Sequence, residues 1–320
     1  MNRPVSGLVF VLGLTAAACA AEPNVEFHQE PGRIRITADG SPVATYVYQD
    51  STIPRPHFSH LFGPGGVQLS RNHPPIAGKD PVDHADLHPG LWMAFGDLSG
   101  SDSWRNKAPI EHEAFVEPPT GGEGRGSFVV RNVYRRTSGG AIYAREVGRV
   151  TVVARSSGYL LALQSEFTAV DGDLVFGDQE EMGLGFRVAT PLSVKGGGRI
   201  MDTEGDRDEK GVRGKATAWC DYSGVVDGHW AGASLIPDPA NFRVSWFHVR
   251  DYGLAVANPF GRKALTKGPE SRVVVKPGET FKLGFGVFLH ASPTADPIDP
   301  SGFHRAYLEE LSRRPAPARP

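Results

Sequence analysis

Two histidines and two carboxylates fall within six residues in Asp83-His84-Ala85-Asp86-Leu87-His88, and Pro89-Gly90-Leu91-Trp92 follow directly. Imidazoles and carboxylates at this density suit a metal ion, a proton relay or a polar ligand. In an extended segment His84, Asp86 and His88 share one side, because strand side chains alternate. In a helical turn His84 and His88 still meet at i, i+4. One reading is a divalent metal on His84, Asp86 and His88, with Asp83 or His112 as a further ligand. The spacing matches no standard zinc signature well, and Pro89 argues against a continuous helix carrying the pair.

Two further clusters offer acid, base and anion-binding groups. Asp178-Gln179-Glu180-Glu181-Met182-Gly183 places adjacent carboxylates at the start of a strand, where one of Glu180 and Glu181 is expected to face a pocket and Arg187 to pair with either. Trp246-Phe247-His248-Val249-Arg250-Asp251-Tyr252-Gly253 puts His248 and Arg250 on one strand face, and Asn258-Pro259-Phe260-Gly261 closes it. Arg250 can grip a carboxylate with two donors, or form a structural ion pair with Asp251.

The segment from Pro54 to His112 carries six of the eleven histidines: His57, His60, His73, His84, His88 and His112. It also holds Gly96-Asp97 and Asp102-Ser103-Trp104-Arg105-Asn106, and reads as a site wall rather than core. All five tryptophans lie near these clusters in sequence. Indole faces suit the apolar side of a sugar ring, although tryptophans also pack sandwich cores.

The elements that must position these groups are almost all strands. With 39 glycines and 26 prolines, the chain is divided into many short segments. Val25–His28, Arg33–Thr37 and Val43–Tyr48 form an opening meander, turned at Asp39-Gly40. Three long strands, Ser127–Arg136, Ala141–Ala154 and Tyr159–Val170, are joined at Ser138-Gly139-Gly140 and Ser156-Ser157-Gly158. Phe281, Leu283, Phe285, Val287 and Leu289 give a late strand one apolar face. Only the tail reads as helix, capped by Asp299 or Ser301, with Phe303, Tyr307, Leu308 and Leu311 on one face. Pro118 to Gly126 and Lys195 to Arg213 read as long loops. The expected fold is all-β: a large antiparallel β-sandwich with a short C-terminal helix, the supersandwich of sugar mutarotases being one form of it.

Residues 1–21 read as a secretion signal: Arg3, an apolar run from Gly7 to Ala18, and a small-x-small site at Ala18-Cys19-Ala20. Cys19 also offers a weaker lipoprotein reading, with Ala16 where leucine is usual. A secreted or periplasmic protein is expected, with one sandwich domain over 22–312 and a frayed tail over 313–320. After cleavage Cys220 is the single cysteine, so neither an internal disulfide nor a cysteine zinc site is available. A net charge of -2 with dispersed Lys and Arg argues against nucleic acid. No later run is apolar for long enough to span a bilayer. No Gly-x-Ser-x-Gly elbow or P-loop is present.

The combined motifs resemble a bacterial family catalogued as methane oxygenase PmoA-like. The resemblance rests on Tyr46-Val47-Tyr48 with Pro54 and His57, on Asp83-His84 through Gly90-Leu91-Trp92, and on Gly96-Asp97 through Trp104. It rests equally on Trp219-x-Asp221-Tyr222, Asp238-x-x-Asn241, and the Trp246–Gly253 and Asn258–Gly261 segments. A membrane methane monooxygenase subunit would need several transmembrane helices, so the catalogue name is not taken as chemistry. The resemblance implies carbohydrate metabolism without an established reaction. Many members read Asp-His-Pro-His-His-x-Gly where this chain has one residue more and one histidine fewer.

The leading expectation is a secreted enzyme acting on a carbohydrate or glycoside, by glycosidic cleavage or by lyase- or epimerase-type proton abstraction. His84 and His88 would bind substrate or a divalent metal. Glu180, Glu181 or His248 would act as base, Arg250 would steady negative charge, and Trp92 or Trp104 would stack on the ring. His57, Asp97, Arg105, His112, Asp251, Tyr252 and Asn258 complete the expected binding set. A non-catalytic carbohydrate-binding module and a His/Asp metal protein are the alternatives.

Overall fold

The computed structural model describes residues 21–313. Nearly all of the expected signal, with Cys19, and nearly all of the tail fall outside them. Two large antiparallel sheets face one another. The first has nine strands, in the order Trp246–Arg250, Leu254–Asn258, Met182–Arg187, Leu91–Phe95, His57–Ser59, Ser41–Val47, Arg33–Ala38, Asn24–Glu30 and Gly122–Glu123. The second has eight, in the order Arg199–Asp202, Cys220–Val226, His229–Pro237, Thr280–Ala291, Gly158–Ala169, Ile142–Arg155, Arg125–Arg135 and Ile110–Thr120. A two-stranded ribbon pairs Leu174–Phe176 with Val273–Val275. The all-β antiparallel expectation holds, including the single longer helix, Ser301–Ser312, at the C-terminal end. Among the described residues no helix is long and apolar enough to cross a membrane.

Strand alternation builds the core. Leu91 and Phe95, Leu184 and Phe186, Ala255 and Ala257, and Phe247 and Val249 all point between the sheets. There they meet Phe128, Val130, Leu161, Leu163, Phe285 and Val287 from the other sheet. The intervening residues must then point outward, and each outer face acquires its own cover. The Ser301–Ser312 helix covers the eight-stranded sheet, packing Phe303 and Tyr307 on Leu160, Ile236 and Phe288. Leu308, expected on that buried face, is exposed, and Ala306 and Glu310 are buried instead. The nine-stranded sheet is covered by loops, and there Trp92, Ala94, Trp104, Leu254 and Val256 form a small separate cluster with Tyr252 at its side.

Two expected loops turn out to be structured. Pro118 to Gly126 is a tight return from Ile110–Thr120 through the short Gly122–Glu123 strand into Arg125–Arg135. Glycine permits it, since a Cβ on Gly121 would lie 2.0 Å from the Val25 carbonyl oxygen. Lys195 to Arg213 contains the Arg199–Asp202 strand and a short helix, Asp208–Val212. The Asp202 carboxylate accepts the Glu204 and Asp206 amides, both at 3.0 Å, which orders the turn between them.

Candidate functional site

The outward residues of four neighbouring strands form a grid in which polar side chains flank the small apolar cluster. His248 pairs across to Val256, Val256 to Gly185, and Gly185 to Trp92. In the next row Arg250 pairs with Leu254, and Leu254 with Arg187. The three sequence clusters therefore meet on one sheet face, although they lie far apart in the chain.

Residues 83–88 settle between the two conformations open to them in favour of a helical turn. The Leu87 and His88 amides both donate to the His84 carbonyl, at 3.1 and 3.0 Å. This turn stacks His84 on His88, with ring centres 4.8 Å apart and planes 17° apart. His88 in turn stacks on Trp92 at 5.2 Å, Trp92 meets Trp104 at 5.1 Å, and Tyr252 lies parallel to His84 at 6.3 Å. Gly185 makes the inner end possible, because a Cβ there would lie 2.7 Å from both indoles. Trp92 and Trp104 are completely buried, so they support the stack and cannot lie against a ligand. His84, with a side chain 46% exposed, is the ring that reaches solvent.

The metal reading of His84, Asp86 and His88 is not supported. Stacking turns the two imidazoles face to face, and Nδ1 of His84 instead meets the Asp83 carboxylate at 3.1 Å. Among the described residues, the acid and imidazole group whose ligand atoms all lie within 4.8 Å of one another is Asp50, His57 and His73.

Buried arginines hold these loops by their backbone. Arg71 donates to the Pro81, Asp83, His84 and His88 carbonyls at 2.7 to 3.3 Å. Arg55 donates to Ser103 and Trp104 carbonyls at 3.2 and 3.0 Å, to Leu87 at 2.5 Å, and sits over the Trp92 ring. Burial lowers Arg55 to about 9 and Arg71 to about 10, which still leaves both charged at neutral pH. Arg187 does not pair with a glutamate as expected. It bonds the Asp83 carboxylate at 2.9 Å and lies over Tyr252. Burial pushes Asp83 upward, but the Arg187 and His84 hydrogen bonds outweigh it and hold the carboxyl at about 2. The sequence held no signal for Arg55 or Arg71 beyond their place in the histidine-rich segment.

Glu180 and Glu181 precede the Met182–Arg187 strand, so strand alternation does not separate them. Glu181 contacts Arg105, and Glu180 bonds Arg213 at 2.8 Å. Burial raises the Glu181 carboxyl, Arg105 opposes the shift, and Glu180 adds to it. Asn258 fixes this corner. Its amide donates to the Gln179 and Glu180 carbonyls at 2.8 and 3.1 Å, and its oxygen accepts from Phe260 and Gly261, both at 2.8 Å. His248 is buried, 3.9 Å from Glu180, and its Nδ1 accepts a hydrogen bond from Arg213 Nε at 3.3 Å. Burial lowers its pKa to about 4, so at neutral pH it is uncharged with its proton on Nε2. His88 is driven down to about 2, chiefly by burial and then by Arg187.

The remaining expected binding residues divide. Arg250 pairs with Glu209 at 3.0 Å rather than with Asp251, and faces the site beside Tyr252. Asp251 instead accepts the Glu209 amide at 2.9 Å, a structural tie. Asp97 caps a turn through the Gly100 amide at 3.0 Å. His112 lies on the edge strand Ile110–Thr120 against Tyr48 and Phe115, away from the ring stack. His57 sits one strand beyond Trp92 on the same outer face, since its neighbour Phe58 pairs with Leu91 inside.

Residues 33–298 match the family of unknown function DUF6807, and the chain belongs to that family. This corrects the resemblance to the methane oxygenase PmoA-like family, which no comparison supports. No curated protein matches the sequence. Three solved structures resemble it loosely. A human-microbiome protein catalogued as a kojibiose phosphorylase aligns over 92% of this chain and 37% of its own, at 8% identity and a TM-score of 0.39. The heparan sulfate lyase HepC of Pedobacter heparinus aligns over 82% and 34%, at 7% identity and a TM-score of 0.37. The Slr1438 protein of Synechocystis sp. PCC 6803 aligns over 89% and 100%, at 12% identity and a TM-score of 0.34. The chain thus spans about a third of the length of the first two. At such low scores these likenesses carry no argument about this protein.

Proposed function

We propose that the outer face of the nine-stranded sheet binds a carbohydrate and abstracts a proton beside a carbonyl or carboxylate of an oxidised sugar. The observation that carries this reading is the meeting on one face of Glu180, Glu181 and neutral His248 with Arg105, Arg213 and Arg250. Two adjacent carboxylates in different surroundings suit opposite proton roles. Glu180, the more exposed, takes the proton from carbon. Glu181, whose proton burial favours, returns one. His248 presents Nε2–H as a fixed donor to a substrate oxygen, because Arg213 occupies its Nδ1. The half-exposed ring of His84, backed by His88 and Trp92, and the neighbouring Tyr252 offer the sugar a flat surface.

Charge favours one of the two reactions expected from sequence. Glycoside cleavage passes through a cationic, oxocarbenium-like state. Proton abstraction beside a carbonyl generates an oxyanion, which three guanidinium groups stabilise. The same charge logic favours uronates and keto-sugars over neutral glycosides as substrates.

The test is incubation with uronic acids and 3-keto glycosides in heavy water, followed by mass spectrometry. Deuterium in recovered sugar, or an elimination product, is expected with the native chain and is lost in Glu180→Gln and Glu181→Gln. No label and no product with any of these sugars, while binding persists, would replace the enzyme by a carbohydrate-binding module.

A further inference from the structure

We infer that Asp50, His57 and His73 form a binding site for one first-row divalent cation, separate from the glutamate and arginine groups of the proposed sugar site. The three side chains come from the segment before the His57–Ser59 strand, from the strand itself, and from the loop beyond it. Their ligand atoms lie within 4.8 Å of one another. Bonds of about 2.0–2.2 Å to one ion bring ligand atoms to within about 3–4 Å, so the group needs only a small contraction. Asp50 is the least buried of the three.

The chemistry of His57 points to a cation rather than to a structural hydrogen bond. Its ring is 1% exposed. Nδ1 lies 3.1 Å from the Arg55 carbonyl, which can only accept, so Nδ1 carries the proton. Nε2 is then a bare lone pair, and it is buried without a hydrogen-bond partner. A buried acceptor left without a partner is costly, about 1–3 kcal/mol, unless something fills the place. Imidazole oriented by a backbone carbonyl on one nitrogen and free on the other is the usual arrangement of a metal-bound histidine. His73 repeats the feature: its Nδ1 is also buried and unpartnered, and its ring stands 5.7 Å from that of His57 at 83°.

Two imidazoles and one carboxylate suit Zn²⁺, Co²⁺, Fe²⁺ or Ni²⁺, and leave coordination positions open for water or a ligand oxygen. Asp50 also lines an open cleft of about 590 Å³ with Arg55, Asn106, Lys107 and His112, so the carboxylate side of the group borders open space. Asp50 Oδ1 is occupied by the Thr52 and Ile53 amides at 2.6 and 2.9 Å, which leaves Oδ2 for the ion.

Titration of the tag-free, chelator-treated chain with Co²⁺, followed by visible absorption and then by displacement with Zn²⁺, tests this site without reference to any activity. One equivalent bound per chain is expected. Binding is lost in His57→Ala and His73→Ala and kept in His84→Ala. Asp50→Asn keeps the acceptor for the two amides and removes the charged ligand, so it decides the matter if a histidine variant fails to fold. Absence of stoichiometric Co²⁺ uptake, unchanged affinity in Asp50→Asn, or loss in His84→Ala alone would overturn the assignment.

Discussion

The two outer faces of the sandwich solve the same problem in different ways. Each sheet turns apolar side chains inward, and each needs a cover outside. On the eight-stranded sheet an amphipathic helix supplies it, with Phe303 stacked on Phe288 at 4.3 Å. The buried polar groups beneath it are paired: Asp221 is hydrogen-bonded by His290 at 3.0 Å and Ser234 at 2.6 Å, and Glu310 of the helix pairs with Arg125 at 2.5 Å. On the nine-stranded sheet loops supply the cover, and loops bring unpaired backbone that must be bonded. Arg55, Arg71 and Asn258 provide those bonds, so this face is rich in charge and rings for structural as well as chemical reasons. A helix satisfies its own backbone and can afford a greasy underside. A loop cover cannot, and its polar fittings are what a ligand can use.

The sharpest way to break this comparison is through turnover. Glu181→Gln on the loop-covered face should lower turnover on an oxidised sugar by about 10²–10⁴-fold with little change in melting temperature. Phe303→Ala on the helix-covered face should leave turnover per folded molecule unchanged and lower stability by about 3–5 kcal/mol. Equal activity losses in both would erase the distinction.

Trp104→Ala should cost about 3–5 kcal/mol as well, because it opens a cavity beneath the ring stack. Unlike Phe303→Ala it should also weaken sugar binding, which calorimetry on the folded fraction would register. Binding as tight as that of the native chain would show that the stack is packing only.

Acid should separate the faces too. His88 and His248 have folded pKa values of about 2 and about 4, below the ordinary 6.5. The unfolded chain therefore takes up these protons first, and the stability present above pH 6.5 is lost as pH falls toward the folded values. Each histidine contributes a slope approaching about 1.4 kcal/mol per pH unit in that window. Urea unfolding from pH 7 to pH 4.5 should show a shallower fall in His88→Gln than in the native chain. Parallel curves would mean that the acid response arises elsewhere.

The smallest effect expected is that of Gly185→Ala. The added methyl meets both indoles, and overpacking of this kind costs about 1–3 kcal/mol. Denaturant midpoints would measure it, and a neutral result would mean that the ring stack can shift.

Much of this molecule is written in local pattern. Alternation along Thr280–Ala291, the Asp39-Gly40 turn and the long central strands needed nothing but the period of a strand and the turn chemistry of glycine. The apolar face of the C-terminal helix was legible for the same reason, save at Leu308. The sequence also marked where polar chemistry gathers, since His84, His88, Glu180, Glu181, His248 and Arg250 all lie on or beside one face.

Only the tertiary structure decided what these groups do to one another. The backbone of residues 84–88 chose a turn over a strand, and that choice made His84 and His88 stacking partners instead of chelating ligands. Trp92 and Trp104 proved buried because Gly185, opposite Trp92 on the neighbouring strand, leaves a hollow for both indoles. Asp50, His57 and His73 met although no spacing in the chain announces them. The physical reason is common to all three. Periodicity fixes which side of its own strand or turn a residue takes. Which residues lie opposite depends on strand order and on loops folded back by long-range hydrogen bonds, and neither has a local signature.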